Sequence, residues 1–199
     1  MKHQKNSKID LKVKIIGGVW KGRNIAFVNK KNVRPTKNQI RETLFNWLKD
    51  DLINAVCVDL FCGSGALGIE AASRGAKKVF LVDNDIDVIN CLSNQIDILE
   101  AKNITLVNSI AEDFIININD KINIIFLDPP FSDNKLINII NKLTSLNILS
   151  NECKVYIETS YSKYSSDNIL NIPNSWQLLK SKKSGGVAYM LFKVIDTVV

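Results

Sequence analysis

A glycine-rich turn in the first third of the chain has the spacing of a cofactor site. Gly63, Gly65 and Gly68 fit the pattern G-x-G-x-x-G directly after a short apolar run. Glycines at a strand-to-helix turn allow a tight turn, close approach of a ligand to the backbone and close packing of the helix on the strand. Asp83 follows Gly63 by twenty positions, at the end of the next apolar run. A carboxylate there can accept hydrogen bonds from both hydroxyls of an adenosine ribose.

The same pattern serves nicotinamide dinucleotides as well as S-adenosylmethionine, so the residues around the turn must discriminate between the two cofactors. Asp59 lies four positions before the first glycine, at the mouth of the expected site. A carboxylate at that point repels a pyrophosphate but attracts the ammonium group at the amino-acid end of S-adenosylmethionine. The turn therefore favours S-adenosylmethionine.

A second segment, Asp128-Pro129-Pro130-Phe131, follows a later apolar run and has the composition of an amine-binding pocket. Two consecutive prolines stiffen the backbone and remove two N–H donors, so the segment presents bare carbonyl groups. Together with the Asp128 carboxylate, these acceptors can bind both hydrogens of an exocyclic base amine, and Phe131 can stack on the base. The acceptors also stabilise the positive charge that develops on the nitrogen as it is methylated.

The elements that must position these residues alternate between strands and helices from residue 55 onward. The predicted strands are 55–60, 78–82, 103–107, 122–128 and 154–159, and the predicted helices are 66–75, 85–99, 111–116 and 134–146. This alternation implies a parallel sheet covered by helices on both faces. Two further strands, joined through the turn 181–186, make the last strand antiparallel. We expect an α/β, Rossmann-like class I methyltransferase fold with a seven-stranded, mostly parallel sheet.

The residues before this sheet predict a β-hairpin followed by a helix. Strand-like runs at 12–20 and 23–28 flank a turn, and Thr36 is placed to cap the helix that follows. The apolar residues of that helix recur on one face, which predicts that Trp47 packs in the core and does not stack on a base.

The predicted hairpin and the predicted sheet divide the chain into two parts. We expect a basic hairpin arm for RNA binding, residues 1–33, and a methyltransferase domain, residues 34–199.

The positive charge is concentrated at the front of the chain. Residues 1–49 hold 13 Lys/Arg against two acids, whereas the remainder holds 13 against 18. A basic arm on an acidic body is typical of proteins that bind polyanions. Lysine-rich termini also keep proteins soluble, so the charge alone leaves both interpretations open. Near the other end, Lys182 and Lys183 belong to the turn expected at the carboxyl edge of the sheet, where they either bind phosphates or form a solvated turn.

Several classes of protein do not fit the composition. The four cysteines have no C-x-x-C spacing and there is one histidine, so we expect neither a metal site nor a disulfide framework. There is no apolar run long enough to span a membrane, and no apolar segment follows the basic N-terminus as in a secretory signal. We expect a cytoplasmic protein with no membrane contact, and a monomer.

Taken together, the motifs resemble one known family. The chain contains Ile15-Ile16-Gly17-Gly18-Val19-Trp20-Lys21-Gly22-Arg23, Arg34-Pro35-Thr36, a helix reading RETLFNWL (41–48), the glycine turn CGSGALG (62–68) and Asp128-Pro129-Pro130-Phe131. This set resembles the bacterial 16S rRNA guanine-N2 methyltransferases of type D (the RsmD family). The resemblance extends from about Ile15 to the last strand, and the RETLFNWL helix is its most specific part. It implies transfer of a methyl group from S-adenosylmethionine to the N2 amine of a guanine in 16S rRNA, in the small ribosomal subunit.

The resemblance also implies a role for individual residues. The methionine part of the cofactor would be surrounded by Asp59, Gly63, Ser64, Gly65 and Leu67, the ribose would be held by Asp83, and the adenine would be flanked by Ile110 and Ala111. The guanine would be bound by Asp128, Pro129, Pro130 and Phe131. The candidate RNA-binding residues are Lys21, Arg23, Arg34, Arg41, Lys182 and Lys183.

Two positions depart from the family pattern. Ile110 stands where a polar side chain is expected beside the adenine, so adenine recognition would rest on backbone groups. Cys62 stands where a small residue is common. We interpret Cys62 as a packing residue, because amine methylation needs no cysteine nucleophile.

Two alternative functions remain at this stage. The same residues would suit methylation of adenine N6 in RNA or DNA. The fold could also persist in a non-catalytic RNA-binding assembly factor. The presence of Asp59, Asp83 and Asp128 together argues against the second alternative, since a protein without turnover has no need of all three.

Overall fold

The computed structural model describes residues 11–30, 35–129, 135–160 and 172–195, and its first element is a small hairpin. Strands β1 (Leu11–Lys14) and β2 (Asn24–Phe27) pair antiparallel. The helix α1 (Asn38–Trp47) follows. Its N-cap is Lys37, with no side-chain cap hydrogen bond, so the prediction that Thr36 caps this helix was wrong. Thr36 is instead buried in the wall of a cleft, and the helix begins two residues later.

Within the described residues, seven strands form the central sheet. They are β3 (Val56–Asp59), β4 (Lys78–Asp83), β5 (Ile104–Asn108), β6 (Ile122–Leu127), β7 (Leu149–Ser160), β8 (Trp176–Ser184) and β9 (Val187–Val194). Their order across the sheet is β5-β4-β3-β6-β7-β9-β8. The strands β3 to β7 pair in parallel, and β9 is antiparallel to both β7 and β8. This confirms the predicted class of fold, including the antiparallel last strand.

In the part of the chain that the structure describes, four helices connect the parallel strands. They are α2 (Ala66–Ser73), α3 (Ile86–Leu99), α4 (Ala111–Asn117) and α5 (Lys135–Ser145). Apolar residues of α1, α2, α3 and the hairpin pack on one face of the sheet. Those of α4 and α5 pack on the other face. The central strands β3, β4 and β6 therefore have both faces covered, which explains their nearly continuous apolar sequences.

The hairpin packs on the body of the protein through buried side chains and through hydrogen bonds to α2. Ile15 and Ile25 are fully buried. The carboxylate of Glu70 accepts hydrogen bonds from the backbone N–H groups of Ile16 and Gly17, at 2.8 and 2.7 Å. Ser73 Oγ accepts a third, from the N–H of Trp20 at 3.0 Å. Removing the whole hairpin would therefore expose residues of the core.

Trp47 packs as the sequence predicts. It is partly buried and stacks on Tyr189 of β9, with ring centroids 5.5 Å apart. The stacking joins α1 to the antiparallel end of the sheet.

Candidate active site

A cleft of about 800 Å³ lies at the carboxyl edge of the parallel strands. Its volume is within the range of small-molecule sites, and this edge is where open α/β sheets bind their ligands. Residues from the ends of four neighbouring strands line it: Asp59, Asp83, Asp128 and Glu158. The glycine turn, the start of α4 and the residues just before α1 complete its wall.

The glycine turn has the geometry that its sequence requires. Gly65 has φ +72°, in the left-handed region that favours glycine. At Gly68, a Cβ atom would lie 2.1 Å from Cδ2 of Leu81 and 3.1 Å from Cβ of Asp59. Only glycine therefore allows α2 to approach the sheet this closely. Ser64 and Leu67 are buried in the same turn and line the cleft.

Two carboxylates hold the turn from opposite sides. Asp59 Oδ2 accepts a hydrogen bond from the Gly68 N–H at 2.9 Å. Asp83 Oδ2 accepts one from the Gly63 N–H at 3.0 Å, while its Oδ1 accepts from the N–H of Asp85 at 2.9 Å. Burial raises the pKa of Asp59 to about 7; the nearby charge of Asp83 adds to this rise, and the bond from Gly68 opposes it.

Ile110 and Ala111 border the cleft at the start of α4. Ile110 is the N-cap of this helix and is 46% exposed, although its side chain is a large apolar one. The neighbouring Ser109 donates its backbone N–H to the carbonyl of Asp83 at 3.1 Å. This bond fixes the start of α4 next to the end of β4, so the residues assigned to adenine and to ribose lie side by side.

Asp128 and Pro129 lie in the cleft directly after β6. Asp128 is half-buried and Pro129 is buried. Burial raises the pKa of Asp128 well above its ordinary value, and the charges of Glu158 and Asp59 raise it further. Pro130 and Phe131 lie outside the described residues.

Glu158, which sequence reasoning missed, lies beside Asp128. It is 7% exposed, and its Oε2 accepts a hydrogen bond from the hydroxyl of Tyr156 at 2.9 Å. Burial raises the pKa of Glu158, while the Tyr156 bond and the charge of Lys37 oppose the shift. A signal was present in the sequence, because Glu158 follows an apolar run just as Asp59, Asp83 and Asp128 do.

Arg41 is inside the protein, which corrects the prediction that it contacts RNA. Its side chain has no exposed surface and lies 3.4 Å from Glu70 Oε2. Its Nη2 also donates to the Lys14 carbonyl at 2.8 Å and to Asn38 Oδ1 at 2.6 Å. Burial lowers the pKa of this guanidinium. Arg41 therefore links α1, the hairpin and α2, and an RNA phosphate cannot reach it.

The other basic candidates differ in where they lie. Lys21 and Arg23 are exposed on the hairpin, and Arg23 donates to the carbonyl of Ile98 at 2.7 Å. Lys182 and Lys183 are exposed but belong to β8, whereas the sequence placed them in the turn. The ladder continues to Ser184 because both lysines pair with residues of β9. Arg34 lies outside the described residues.

The turn after β8 lies at the cleft edge, because two antiparallel pairings make β8 run in the direction of the parallel strands. A Cβ atom on Gly185 would lie 3.4 Å from Nζ of Lys37, which lines the cleft together with Val187. Lys182 and Lys183 immediately precede this turn. Both lysines therefore lie near the edge of the sheet at which the cleft opens.

Cys62 is buried and its backbone N–H donates to the Val82 carbonyl at 2.9 Å. Burial raises the pKa of its thiol well above the ordinary value, and the charges of Asp59 and Asp83 add to the rise. A thiol held neutral is not a nucleophile, and the structure supports a packing role.

In the described part of the chain, no helix is long and apolar enough to cross a membrane.

The chain as a whole is similar to known proteins. A family model described as "Conserved hypothetical protein 95" matches residues 13–193. "Ribosomal RNA small subunit methyltransferase D" of Escherichia coli (strain K12) is 38% identical over 181 residues, which cover 91% of this chain and 89% of that protein. The protein of the same name from Buchnera aphidicola subsp. Baizongia pistaciae is 37% identical over 97% of each chain.

Solved structures resemble the whole of the described fold. "Putative methyltransferase yhhF" from Escherichia coli has a TM-score of 0.85 and 35% identity, covering 94% of this chain and 100% of its own. "Putative methylase HI0767" from Haemophilus influenzae has a TM-score of 0.78, 35% identity and the same coverage. The similarity therefore includes the hairpin as well as the sheet.

Proposed function

This chain belongs to the family of ribosomal RNA small subunit methyltransferase D, and on that premise we propose that it methylates the exocyclic N2 amine of a guanine in small-subunit rRNA, with S-adenosylmethionine as the methyl donor. One observation carries the proposal. Asp128 and Pro129, which suit a base amine, lie in the same cleft as the glycine turn and Asp83, which suit an adenosine cofactor.

The cleft offers donors and acceptors that suit S-adenosylmethionine. The left-handed Gly65 and the close packing at Gly68 fix the glycine turn at the start of α2, in the wall of the cleft. Asp59 would attract the ammonium group of the cofactor and Asp83 would accept hydrogen bonds from the ribose hydroxyls. Ile110 and Ala111 would flank the adenine and leave its polar edge to backbone groups. When bound, S-adenosylmethionine supplies a methyl group that is already activated by the positive charge on sulfur.

Asp128 and Pro129 would position the guanine amine for transfer. The lone pair of such an amine is delocalised into the ring, and binding both of its hydrogens to two acceptors outside the ring plane would favour the pyramidal form in which the lone pair is available. The Asp128 carboxylate then stabilises the positive charge that grows on the nitrogen. Because the pKa of Asp128 is raised, its carboxylate is also a stronger base than an exposed aspartate and can take the proton that the nitrogen must lose. Pro130 and Phe131 would complete the pocket, with Phe131 stacked on the base.

The exposed basic residues would hold the RNA around the target base. Lys21 and Arg23 would contact phosphates from the hairpin, and Lys182 and Lys183 from the strand that ends beside the cleft. Phosphate contacts orient the RNA without reading its sequence. A guanine in a duplex must also leave the stack to reach Asp128, as in other enzymes that act on a base amine.

Nucleoside mass spectrometry tests this proposal in the cell. RNA of the small subunit from a deletion strain should have lost N2-methylguanosine. The gene with Asp128→Ala should fail to restore it, while the wild-type gene should restore it. Loss of N6-methyladenosine instead would favour an adenine methyltransferase. No change in any methylated nucleoside would favour a non-catalytic assembly factor.

A further inference from the structure

Glu158 occupies the position next to Asp128 on the neighbouring strand. The parallel register pairs Phe126 with Tyr156 and Leu127 with Ile157, so Asp128 and Glu158 are the next residues along these two strands. Adjacent strands are about 4.8 Å apart, and side chains at paired positions project from the same face of the sheet. Both residues line the cleft, and the charge of Glu158 contributes to the raised pKa of Asp128. The cleft therefore contains two carboxylates side by side where the base must bind.

Tyr156 holds the Glu158 carboxylate in place. The phenol is fully buried, lies two residues earlier on β7 and donates to Oε2 at 2.9 Å. Because the Tyr156 hydroxyl is the donor in this bond, the Glu158 carboxylate acts as the acceptor. The other carboxylate oxygen, Oε1, takes no part in the bond. Lys37, exposed at the rim of the cleft, favours the ionised form of Glu158 by its charge. Burying a carboxylate is costly, and the function described so far gives Glu158 no role that would offset this cost.

Guanine has the edge that two neighbouring acceptors can bind. Its N1–H and its N2 amine point in the same direction from the Watson–Crick edge, so it offers adjacent donors. Adenine offers an amine at N6 but an unprotonated N1, which would face a carboxylate lone pair. On the basis of the proposed function, we propose that Glu158 accepts the N1–H of the target guanine while Asp128 binds the N2 amine, and that Glu158 thereby selects guanine.

The base analogue 2,6-diaminopurine separates these two contacts. It retains an amine at C2, but its N1 carries no hydrogen. A synthetic RNA fragment with guanine or 2,6-diaminopurine at the mapped target position would be ligated into small-subunit rRNA. The RNA would be supplied both free and assembled with ribosomal proteins, and kcat/KM would be measured by methyl incorporation. Wild-type protein should prefer guanine by about 10- to 100-fold, the effect of leaving one buried hydrogen-bonding group without its partner.

Glu158→Gln should reverse or remove this preference. The Tyr156 hydroxyl donates to the amide oxygen, so the amide NH2 faces the base, where it can bond N1 of 2,6-diaminopurine but opposes N1–H of guanine. We expect kcat/KM for guanine to fall about 10- to 100-fold, with little loss for 2,6-diaminopurine and unchanged affinity for S-adenosylmethionine. Glu152→Gln is the matched control, because Glu152 is exposed on the same strand and pairs with Lys193. Its kinetics should equal those of the wild type.

The outcomes separate this inference from the proposed function. If wild-type protein transfers no methyl group to guanine in either form of the RNA, the proposed function fails, and this inference fails with it. If wild-type protein methylates guanine but treats 2,6-diaminopurine equally well, the function stands and the role of Glu158 is overturned, whether or not the variant folds. An unchanged guanine preference in a folded Glu158→Gln protein would overturn it as well.

Discussion

Asp83 Oδ2 accepts a hydrogen bond from the backbone N–H of Gly63 at 3.0 Å, so the carboxylate proposed to hold the ribose also fixes the glycine turn. Its second oxygen accepts from the N–H of Asp85, at the start of α3. One side chain therefore orients the ends of two elements around the cofactor. The position of the ribose and the shape of the turn are coupled through it.

Asp83→Ala should mainly weaken cofactor binding. The loss of hydrogen bonds to a charged acceptor and of the support for the turn should raise the Kd for S-adenosylmethionine by about 10- to 100-fold. At saturating cofactor, kcat should change little, because Asp83 does not face the base. Isothermal titration gives the Kd and steady-state kinetics give kcat. The control is Asp87→Ala, which removes an exposed carboxylate nearby. A normal Kd with a large loss of kcat would contradict the assignment of Asp83 to the ribose.

Asp59→Asn should change the pH dependence of cofactor affinity. The pKa of Asp59 is about 7 in the protein without ligand, and only its ionised form attracts the ammonium group of S-adenosylmethionine. Wild-type affinity should therefore rise between pH 6 and pH 8, and the variant should bind more weakly with little dependence on pH. A variant with the wild-type pH profile would show that another group is responsible.

The same variant should be more stable than wild-type protein without ligand. An acid whose pKa is higher in the folded than in the unfolded state favours folding when protonated, and this contribution is lost as pH rises from about 4 to 7. At pH 8, Asp59→Asn should increase the free energy of unfolding by about 1–4 kcal/mol, with a smaller difference at pH 5. Urea unfolding at the two pH values measures this. Lower stability of the variant at pH 8 would contradict the burial argument.

Arg41→Met should reduce stability without changing RNA binding. It leaves part of the buried Glu70 charge unpaired and breaks the link between α1 and the hairpin, at a cost of about 2–4 kcal/mol. Arg23→Met, on the surface of the hairpin, should show the reverse: little change in stability and a log–log salt slope for RNA affinity reduced by about 0.7–0.9. Urea unfolding and RNA titration over a salt series would be compared for both proteins. A stable Arg41→Met protein with weakened RNA binding would show that Arg41 does contact RNA.

The order of elements and the glycine turn were predictable because their signals are local. Apolar runs interrupted by glycine, aspartate and proline mark strand ends within a few residues, and parallel topology follows from their alternation with helices. The turn at Gly63–Gly68 was found for the same reason. The N-cap of α1 was not predicted correctly, because Thr36 lies in the cleft wall and its burial there depends on residues far along the chain.

The burial of Arg41 and the place of Glu158 in the cleft became clear only in the tertiary structure. The partner of Arg41 is Glu70, 29 residues away, and a charged residue on a helix is ordinarily exposed. A signal was nevertheless present, since Arg41, Leu44, Phe45 and Leu48 recur at helical spacing on the buried face. The role of Glu158 depends on which strand lies beside β6, and only the sheet order decides that.

Replacing Lys182 and Lys183 by glutamine should weaken RNA binding. Each lost phosphate contact removes an electrostatic attraction, so KM for RNA should rise and its log–log salt slope should fall by about 0.7–0.9 per contact. Affinity for S-adenosylmethionine should stay the same. Lys77→Gln with Lys102→Gln is the matched control, because these exposed lysines precede β4 and β5, at the opposite edge of the sheet. Equal salt dependence in both double variants would assign Lys182 and Lys183 to a solvated strand end.

Transfer of labelled methyl groups in a purified system tests the central claim most directly. Small subunits from the deletion strain would be incubated with the protein and methyl-labelled S-adenosylmethionine, and their RNA digested to nucleosides for mass spectrometry. We predict label in N2-methylguanosine with wild-type protein. Asp128→Ala should bind the cofactor normally and slow transfer by about 100-fold or more, the scale of a lost transition-state contact. Label in N6-methyladenosine, or full transfer by Asp128→Ala, would contradict the account.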